Sequence, residues 1–469
     1  MRVLKYFSGI VMLLAAATAF IQKKKSETPP NIIIILTDDQ GYQDVGFNGS
    51  KDIKTPHIDR IAKNGVVFSN GYVSYAVCGP SRAGLITGRY QDRFGFSRNP
   101  LFAPKDSTQG LPVSEENLAE ALKRGGYTSM AIGKWHLGAH KSLRPLQRGF
   151  DQFFGFLSGG HKYFPKNWTK QDISEVSSQW EAYNTKLLKD NKRIEETEYL
   201  TDALSREAVT FIKENKKKPF FLYLAYNAPH TPLQATEKYL ARNLHIKDKK
   251  RRTYAAMISA VDDGVGSVLD ELKRHNISEN TIVFFLSDNG GPETKNGSNN
   301  GMLRDGKGSM HEGGIRVPFA AQWPGVIPAG TTYEKPVISL DIFATAMAQT
   351  GITSKNPLDG KDLIKHLTNP SLSGPHQTLF WRNYDKRTFA IRKNNYKYVQ
   401  DGTDTKGLYD LSKDISEQHA LEVDSITQNL LETHQKWNDI NPLPAFLGLR
   451  QNREYNKRHP KRYQHVEKY

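Results

Sequence analysis

The chain has 469 residues, 38% of them hydrophobic and 24% charged, so it can bury a large core and carry a second, smaller unit. The formal net charge is +16, but the basic residues are dispersed, and the short basic runs lack the glycine and aromatic pattern of nucleic-acid binding. The composition therefore argues against a nucleic-acid partner and favours polyanionic substrates, which the positive field would attract. A single cysteine, Cys78, excludes an intramolecular disulfide.

The N-terminal segment has the order of a secretory signal peptide. Arg2 and Lys5 precede an apolar stretch, which ends in the small residues Ala17-Thr18-Ala19. We expect residues 1–22 to be a signal peptide and the protein to be exported, to a bacterial periplasm or outside the cell. An uncleaved membrane anchor is the alternative; the short apolar length argues against it, and the lysines at 23–25 favour it. No later apolar run is long enough to span a bilayer, so we expect no stable membrane insertion.

Predicted strands and helices then alternate along the chain. The run "NIIIILTDD" at 31–39 predicts a buried parallel strand, and further strands are predicted at 128–134, 218–230 and 280–290. Between them, Ser114 is expected to begin a helix, and apolar residues recur at helical spacing over 254–272. This alternation predicts an α/β fold with a large, mainly parallel sheet flanked by helices, in which ligands bind at the carboxyl ends of the strands.

The pattern changes after residue 365. Residues 377–400 and 407–411 predict short antiparallel strands joined by polar turns, and a helix is expected near 425–436. We therefore predict a catalytic domain over 30–364 and a smaller C-terminal subdomain, an antiparallel sheet plus helix, over 365–469.

Acidic and amide side chains end two of the predicted strands. Asp38 and Asp39 follow the first strand, and Asp288 and Asn289 follow the strand at 280–290. Carboxylates gathered at one sheet edge would repel one another, and a hard divalent cation such as Ca²⁺ or Mg²⁺ would relieve this. Asp and Asn at strand ends also form ordinary turns, and that alternative stays open for each pair.

Basic side chains occupy other strand ends. Lys134 and His136 lie two residues apart, so in an extended segment both face the same way. His230 stands between prolines after a strand, and Lys307 stands between glycines that allow close approach to an anion. Each residue alone has an ordinary structural interpretation, but their recurrence at strand ends predicts one active site.

The surroundings of Cys78 exclude two nucleophile classes. A phosphatase loop with cysteine, five residues and arginine would need arginine where Gly84 stands, and the local signature of papain-like proteases is missing. Pro80 suits a first helical turn, which would place Cys78 at a helix N-terminus that favours anions. A buried structural cysteine remains the alternative.

The segments "CGPSR" at 78–82 and "LITGR" at 85–89 resemble the signature of the type I, formylglycine-dependent sulfatases of the alkaline-phosphatase-like superfamily. The resemblance covers nearly the whole chain, from "NIIIILTDDQGYQDVG" through "GKWHLG", "NAPHTP", "SDNGG" and "GKGSMHEGGIRVP" to "LYDL". It implies an alkaline-phosphatase-like fold and hydrolysis of sulfate esters. It also implies a separate maturation enzyme that oxidises Cys78 to formylglycine.

The resemblance assigns roles as well. A hydrated aldehyde at residue 78 would attack sulfur, and the second hydroxyl of the diol would let sulfate leave. His230, with Lys307, would protonate the leaving alcohol, and His136 would take the proton of the second hydroxyl. Charge on the sulfuryl oxygens would be stabilised by Ca²⁺, Arg82, Lys134 and Lys307. The implied ligands of Ca²⁺ are Asp38, Asp39, Asp288, Asn289 and the modified Cys78.

The expected substrate is an O-sulfate group on a sulfated glycan of galactose or hexosamine type. Possible contacts to the sugar are Arg98, His161, Trp381 and Arg382, although loops of this composition are more often structural. One alternative is a phosphonate or phosphodiester hydrolase of the same superfamily. The other is a non-catalytic glycan-binding protein on the same scaffold.

Overall fold

The computed structural model of the protein describes residues 28–171, 175–402 and 406–463. The predicted signal peptide at 1–22 lies outside these residues. No helix in the described ranges combines the length and apolar character needed to cross a membrane.

The strands and helices of the described residues follow in chain order. The strands are β1 Asn31–Thr37, β2 Val66–Phe68, β3 Gly71–Tyr72, β4 Thr128–Lys134, β5 Gln152–Phe156, β6 Leu188–Lys189, β7 Lys192–Arg193, β8 Phe220–Ala225, β9 Thr281–Ser287, β10 Phe319–Gln322, β11 Thr331–Tyr333, β12 Val337–Ile338, β13 Thr378–Asn383, β14 Thr388–Lys393, β15 Tyr396–Gln400 and β16 Lys406–Asp410. The helices are α1 Ile58–Lys63, α2 Cys78–Thr87, α3 Leu118–Arg124, α4 Leu200–Asn215, α5 Glu237–Ala241, α6 Lys249–Arg274, α7 Glu293–Asn296, α8 Glu312–Ile315, α9 Asp341–Thr350, α10 Ile364–Thr368, α11 Asp424–Asp439 and α12 Asn452–Arg458.

A large sheet with the order β11-β2-β10-β9-β1-β8-β4-β5-β6-β7 forms the centre of the protein. Its middle is parallel: β1 pairs with β8 and β9, and β4 pairs with β8 and β5. Strand β10 runs antiparallel to β9, and β6 runs antiparallel to β5. All seven residues of β1 are buried, as expected for a strand covered on both faces. The predicted α/β class with a mainly parallel sheet is confirmed.

The side chains of β1 show how the two faces are covered. Ile33 and Ile35 belong to the same core as Val261 and Val265 of α6, while Ile34 belongs to the core on the opposite face. Burying one such side chain fully contributes about 1.5–3 kcal/mol relative to exposing it. The sheet therefore fixes where the ends of β1 and its neighbours lie.

The start of α3 differs from the sequence prediction. The helix begins at Leu118, and Asn117 is its N-cap: the Asn117 side chain accepts hydrogen bonds from the backbone of Ala119 and Glu120. Glu120 in turn accepts a hydrogen bond from the backbone N–H of Asn117 at 2.9 Å. The expectation that Ser114 begins this helix is wrong, because the reciprocal capping box forms three residues later.

A separate antiparallel sheet, β13-β14-β15-β16, follows the large one. Leu430 of α11 packs against Ile391 and Tyr398 on one face of this sheet, while Trp381 packs against Tyr72 of β3 on the other. The predicted small antiparallel sheet with a helix is confirmed. The domain limits at 30–364 and 365–469 stay predictions.

Candidate active site

The acidic groups meet because β1 and β9 are neighbours in the large sheet. Thr37 at the end of β1 is in register with Ser287 at the end of β9, so the residues that follow the two strands lie side by side. Asp38, Asp39 and Asp288 are all buried. The backbone N–H of Asp39 donates to Oδ1 of Asp288 at 3.3 Å, which ties the two strand ends together.

Cys78 is the first residue of α2 and is 2% exposed. Its Sγ lies 3.5 Å from Oδ1 of Asp38 and 3.2 Å from Nζ of Lys307. Burial raises the pKa of the thiol to about 12, although Lys134 and Lys307 act in the opposite direction. The unmodified thiol is therefore protonated at neutral pH and is a poor nucleophile.

Each of three basic residues pairs with a different carboxylate. Lys134 Nζ lies 2.5 Å from Asp38 Oδ2, and Lys307 Nζ lies 2.5 Å from Asp39 Oδ1. Arg82 Nε donates to Asp288 Oδ2 at 2.8 Å. Charge-assisted hydrogen bonds of this kind are strong in a buried site. We call Asp38, Asp39, Asp288, Arg82, Lys134 and Lys307 together the catalytic cluster.

The cluster shifts the proton equilibria of its own members. Burial acts to raise the pKa of Asp38, but Lys134, His230 and Arg82 hold it well below its usual range. Burial and the nearby Asp38 charge raise the pKa of Asp288 to about 6, against the effect of Arg82. The three carboxylates and three cations of the cluster balance in formal charge, so burial is the main reason that the pKa of Asp288 is raised.

Two histidines lie at the same edge. His230 Nδ1 is 2.6 Å from the carbonyl oxygen of Thr231, and Nε2 is 3.7 Å from Asp39 Oδ2. His136 has a left-handed backbone with φ of 56°, and its buried Nδ1 has no hydrogen-bond partner within the described ranges. Burial lowers the pKa of both rings, and for His136 the charges of Lys134 and Arg82 add to the effect. Both rings therefore favour the neutral form.

The arrangement fits a hard cation. Ligand atoms of Asp38, Asp39, Cys78 and Asp288 all lie within 4.8 Å of one another. Asn289 donates its Nδ2 to Asp39 Oδ1 at 2.8 Å, which leaves its buried Oδ1 without a partner in the part of the chain described. An unsatisfied buried oxygen costs about 1–3 kcal/mol. Carboxylate and amide oxygens are the donors that Ca²⁺ prefers.

A cleft of about 710 Å³ gives access to this site. Lys307, Val77 and Arg98 are among its lining residues, and the Lys307 side chain is 19% exposed. Arg98 therefore lines the cleft that leads to Cys78, and its expected contact with the sugar stays a prediction. Its guanidinium is engaged by Asp385 at 2.6 Å and by the carbonyl oxygen of Phe446 at 2.8 Å.

Of the other three tentative sugar contacts, His161 and Trp381 lie inside the protein, where they cannot reach a ligand. Both ring nitrogens of His161 bond to backbone carbonyls, at 2.9 and 2.7 Å, and its side chain is buried. Trp381 is 0% exposed and donates Nε1 to the carbonyl of Val73 at 2.7 Å. Arg382 is buried and donates to Asp92 at 3.0 Å. The expectation that His161 and Trp381 bind substrate is wrong, because each is used to anchor the fold. Arg382 also anchors the fold through Asp92, but it lines a second cleft beside α11, and its expected sugar contact stays a prediction.

The structure adds residues that sequence reasoning missed. Asn99 accepts a hydrogen bond from the backbone N–H of Gly79 at 2.8 Å and so fixes the start of α2. Gly159 packs against the His136 ring, and Gly160 packs against Tyr183, since an added Cβ would meet each ring within 3 Å. Beside Tyr183 stands Trp180, which is 61% exposed. Of this aromatic pair only Trp180 is exposed, Tyr183 being partly buried, and the pair carried no more than a weak signal in the sequence.

Known proteins share both the sequence and this architecture. Residues 30–352 match the sulfatase family model, and residues 305–440 match that of the N-sulphoglucosamine sulphohydrolase C-terminal region. The chain is 36% identical over 345 residues to N-acetylgalactosamine-6-sulfatase of Mus musculus, an alignment that covers 70% of this chain but only 64% of that relative. The protein of the same name from Canis lupus familiaris is 33% identical over 429 residues, which cover 88% of this chain and 78% of the relative.

Solved structures extend the likeness over almost the full length. Ps i-CgsB superposes with a TM-score of 0.86 at 40% identity, covering 93% of this chain and 100% of that one. The phosphonate monoester hydrolase of Agrobacterium radiobacter has a TM-score of 0.63 at 23% identity, over 88% of this chain and 95% of that one, and shows the shared fold alone. With a family match over most of its length and sulfatases as its relatives, this chain belongs to the sulfatase family of the alkaline-phosphatase-like superfamily.

Proposed function

We propose that the protein hydrolyses O-sulfate esters of a glycan, using formylglycine made from Cys78 and one Ca²⁺ ion. The observation that carries this proposal is the position of Cys78. It begins a helix at the carboxyl edge of the sheet, with its Sγ within 3.5 Å of a carboxylate and a lysine ammonium of the catalytic cluster. A thiol with a raised pKa is unsuited to act there itself, whereas a modified side chain in the same place is well positioned.

Two absent groups would complete the site. A hydrated aldehyde at residue 78 would supply one nucleophilic hydroxyl and a second hydroxyl through which sulfate is released. Calcium would supply positive charge beside the sulfuryl oxygens. Its ligands would be Asp38, Asp39, Asp288, Asn289 and the side chain of residue 78.

The cationic side chains of the protein stabilise charge on the sulfuryl group. Lys307 Nζ lies 3.2 Å from Sγ, so it can donate to an oxygen of a group bound at residue 78. Lys134 is buried and held by Asp38, and Arg82 is held by both Asp288 and the carbonyl of Lys134 at 3.1 Å. Because these donors are already oriented, they need little reorganisation during the reaction.

The two histidines are suited to proton transfer. His230 lines the accessible side, and a bond from its Nδ1–H to Thr231 would leave Nε2 to act on the leaving alcohol. A ring with a lowered pKa gives up its proton readily once charged. We assign His136, whose pKa is also lowered, as the base, because its neutral form can accept a proton.

The surroundings support a sugar as the leaving group. The ring of Trp180 stands 5.9 Å from that of Tyr183 in an edge-on arrangement, and Tyr183 neighbours the His136 ring through Gly159 and Gly160. Exposed aromatic faces beside polar groups suit the mixed surface of a sugar. Relatives are named for N-acetylgalactosamine 6-sulfate, and Ps i-CgsB is solved with k-i-k-neocarrahexaose. We therefore propose a sulfated glycan of galactose or hexosamine type.

Export belongs to the same proposal. It is supported by the signal-peptide pattern of residues 1–22 and by the extracellular occurrence of sulfated polysaccharides as substrates. A maturation enzyme is the partner that conversion of Cys78 would require.

The test is expression of the full chain with and without a formylglycine-generating enzyme. Peptide mass analysis should show the thiol-to-aldehyde change at Cys78 only after co-expression, together with activity on an aryl sulfate and on galactose or N-acetylgalactosamine sulfates. Cys78→Ala should abolish this activity, whereas Lys436→Ala, on the exposed surface of α11, should keep it. Phosphatase or phosphonate hydrolase activity without sulfatase activity would overturn the proposal, as would glycan binding with no turnover by the converted protein.

Replacement of Trp180 tests the sugar platform. Trp180→Ala should raise the KM for a sulfated sugar about five- to tenfold, since an aromatic contact is worth about 1 kcal/mol. Val113→Ala, at another exposed apolar residue, is the control. Equal KM values for the two variants would exclude Trp180 from substrate binding.

A further inference from the structure

A second cleft, of about 770 Å³, lies beside the active-site cleft. It runs between the β13–β14 hairpin and α11 of the C-terminal sheet. Asn383 and Asp385 line both clefts, so the two clefts adjoin at these residues.

The shared wall, formed by Asn383 and Asp385, is held by hydrogen bonds, and the adjacent Lys386 contacts the loop that carries Lys307. Asp385 is held by Arg98 at 2.6 Å and by Gln451 Nε2 at 3.0 Å. Lys386 Nζ lies 3.4 Å from the carbonyl oxygen of Gly308, the residue after Lys307. A ligand that leaves the catalytic cluster along the first cleft therefore passes Lys386 before it enters the second.

The second cleft combines an apolar surface with hydrogen-bonding groups. Phe389 stacks on His434 with ring centroids 4.0 Å apart, and Leu431 lies among the same lining residues. His434 is buried, and its Nε2 has no partner among the residues that the structure describes. Gln428 and Gln435 add exposed amide groups. Apolar ring faces with a few polar groups are what a sugar chain requires.

The path carries both basic and acidic side chains: Glu432 lines the second cleft, and Glu293 and Asp305 line the first. Arg387 is exposed, and within the described residues its side chain makes no ion pair or hydrogen bond; the same holds for Arg450 in the first cleft. Lys386 lies on the wall between them. The acidic Asp385 is already neutralised by Arg98. Arg387 is therefore the cation of the second cleft that a sulfate group of a glycan could meet without displacing a hydrogen-bond partner of its side chain.

We propose that the second cleft binds a distal, sulfated part of the glycan chain whose sulfate ester reacts at Cys78. This rests on the proposed sulfatase function and adds a binding site for the polymer. Affinity and kcat/KM should then increase with the length of the substrate, because a short one fills only the first cleft.

The charge of Arg387 provides a selective test. Arg387 has a φ of 55°, a conformation that asparagine adopts readily, so Arg387→Asn removes the cation with little backbone strain. The control is Lys436→Gln on α11, which removes the same charge outside the cleft. With converted enzyme and carrageenan oligosaccharides, R387N should lower kcat/KM for the hexasaccharide about fivefold and for the disaccharide less than twofold. Equal losses of kcat/KM for both lengths, or equal effects of R387N and K436Q, would overturn the proposal that the second cleft binds the glycan.

Binding without turnover separates this proposal from the function itself. The full-length C78A protein should bind the carrageenan hexasaccharide more tightly than the disaccharide by calorimetry, and R387N should remove most of that difference. Failure of converted enzyme to cleave any sulfate would refute the proposed function, while this binding comparison would still test the cleft. Equal affinity of C78A for the two lengths would refute glycan binding in the second cleft without contradicting the proposed sulfatase function.

Discussion

Two buried groups of charges lie close together in the chain and serve different purposes. The catalytic cluster includes Lys307, and five residues later Glu312 of α8 begins a second group, which we call the Lys397 cluster. Lys397 of β15 lies at its centre, with Nζ 2.8 Å from Glu312 and 2.9 Å from Glu417. Arg316 completes the cluster, 3.2 Å from Glu312. It joins α8 to the C-terminal sheet.

The two clusters differ in access, whereas buried oxygens without a hydrogen-bond partner occur beside both among the described residues, Glu417 Oε1 in one and Asn289 Oδ1 in the other. Lys397 is 0% exposed, and Glu312 also accepts a hydrogen bond from Tyr72 at 2.7 Å, so these charges are directed at one another. In the catalytic cluster, Lys307 faces a cleft and Asn289 Oδ1 is left unpaired among the described residues. Similar residues, similarly buried, therefore form a structural tie where the charges face one another and a candidate active site where one of them faces a cleft.

Lys397→Met should produce the largest change. Removing one partner of a buried ion pair leaves uncompensated carboxylates and costs about 3–5 kcal/mol of unfolding free energy. Urea denaturation of the variant and the wild type measures this loss. Lys436→Met, at an exposed lysine on α11, provides the matched control and should change stability by less than about 0.5 kcal/mol. A stable K397M protein would contradict the assignment of a structural tie.

Lys307→Met should reduce activity strongly and stability little, the opposite of Lys397→Met. It removes a donor that contacts the group at residue 78, so kcat/KM should fall about 10²- to 10³-fold. With saturating calcium, the unfolding free energy should change by less than about 1 kcal/mol, because a cation still compensates Asp39. A large loss of stability with little loss of activity would remove the distinction between the clusters.

Calcium binding should stabilise the protein through the catalytic cluster alone. A ligand that binds only the native state adds about 2.7 kcal/mol at one hundred times its Kd, so Tm should rise with calcium and fall with a chelator. Asp288→Asn should abolish the calcium-dependent shift measured by calorimetry. In K397M the shift should persist even though the starting Tm is lower. A shift unaffected by D288N would place the ion elsewhere.

The smallest effect concerns His311, which lies between the two clusters. Burial lowers its pKa, but Asp305 at 2.9 Å and Asp401 at 3.4 Å raise it above the usual value; Glu417 acts with them and Lys397 against them. Because the pKa of His311 is higher in the folded than in the unfolded protein, its ion pairs contribute fully to the unfolding free energy below the unfolded pKa of 6.5. This contribution is lost as the pH rises through the pKa of the folded protein.

His311→Asn tests that dependence. The wild type should exceed the variant in unfolding free energy more at about pH 5.5 than at about pH 8.5, measured by urea denaturation. His419→Asn, at a mostly exposed histidine, is the control and should show little pH dependence. A difference that grows with pH would contradict the ion pairs of His311.

Prediction from the sequence succeeded where structure is local or follows from a regular sheet. Asp38 and Asp288 could be placed together because parallel neighbours bring their carboxyl ends to one edge. It failed for Trp381, whose hydrogen-bond partner Val73 is 308 residues away, so its burial has no local signal. The start of α3 was missed although Asn117 and Glu120 have the N-cap and N3 spacing of a capping box, a local signal that favours Asn117 over Ser114.

The sequence by itself determined the buried strands, the position of Cys78 at the start of α2, and the motif that relates the chain to the sulfatases. These features depend on short-range patterns of side chains and on residues adjacent in the chain. The tertiary structure decided which lysine pairs with which carboxylate and that Asn289 Oδ1 has no partner among the described residues. It also decided that the two clefts share Asp385 as a lining residue. Those outcomes depend on distances between segments far apart in sequence, which only the folded chain brings within bonding range.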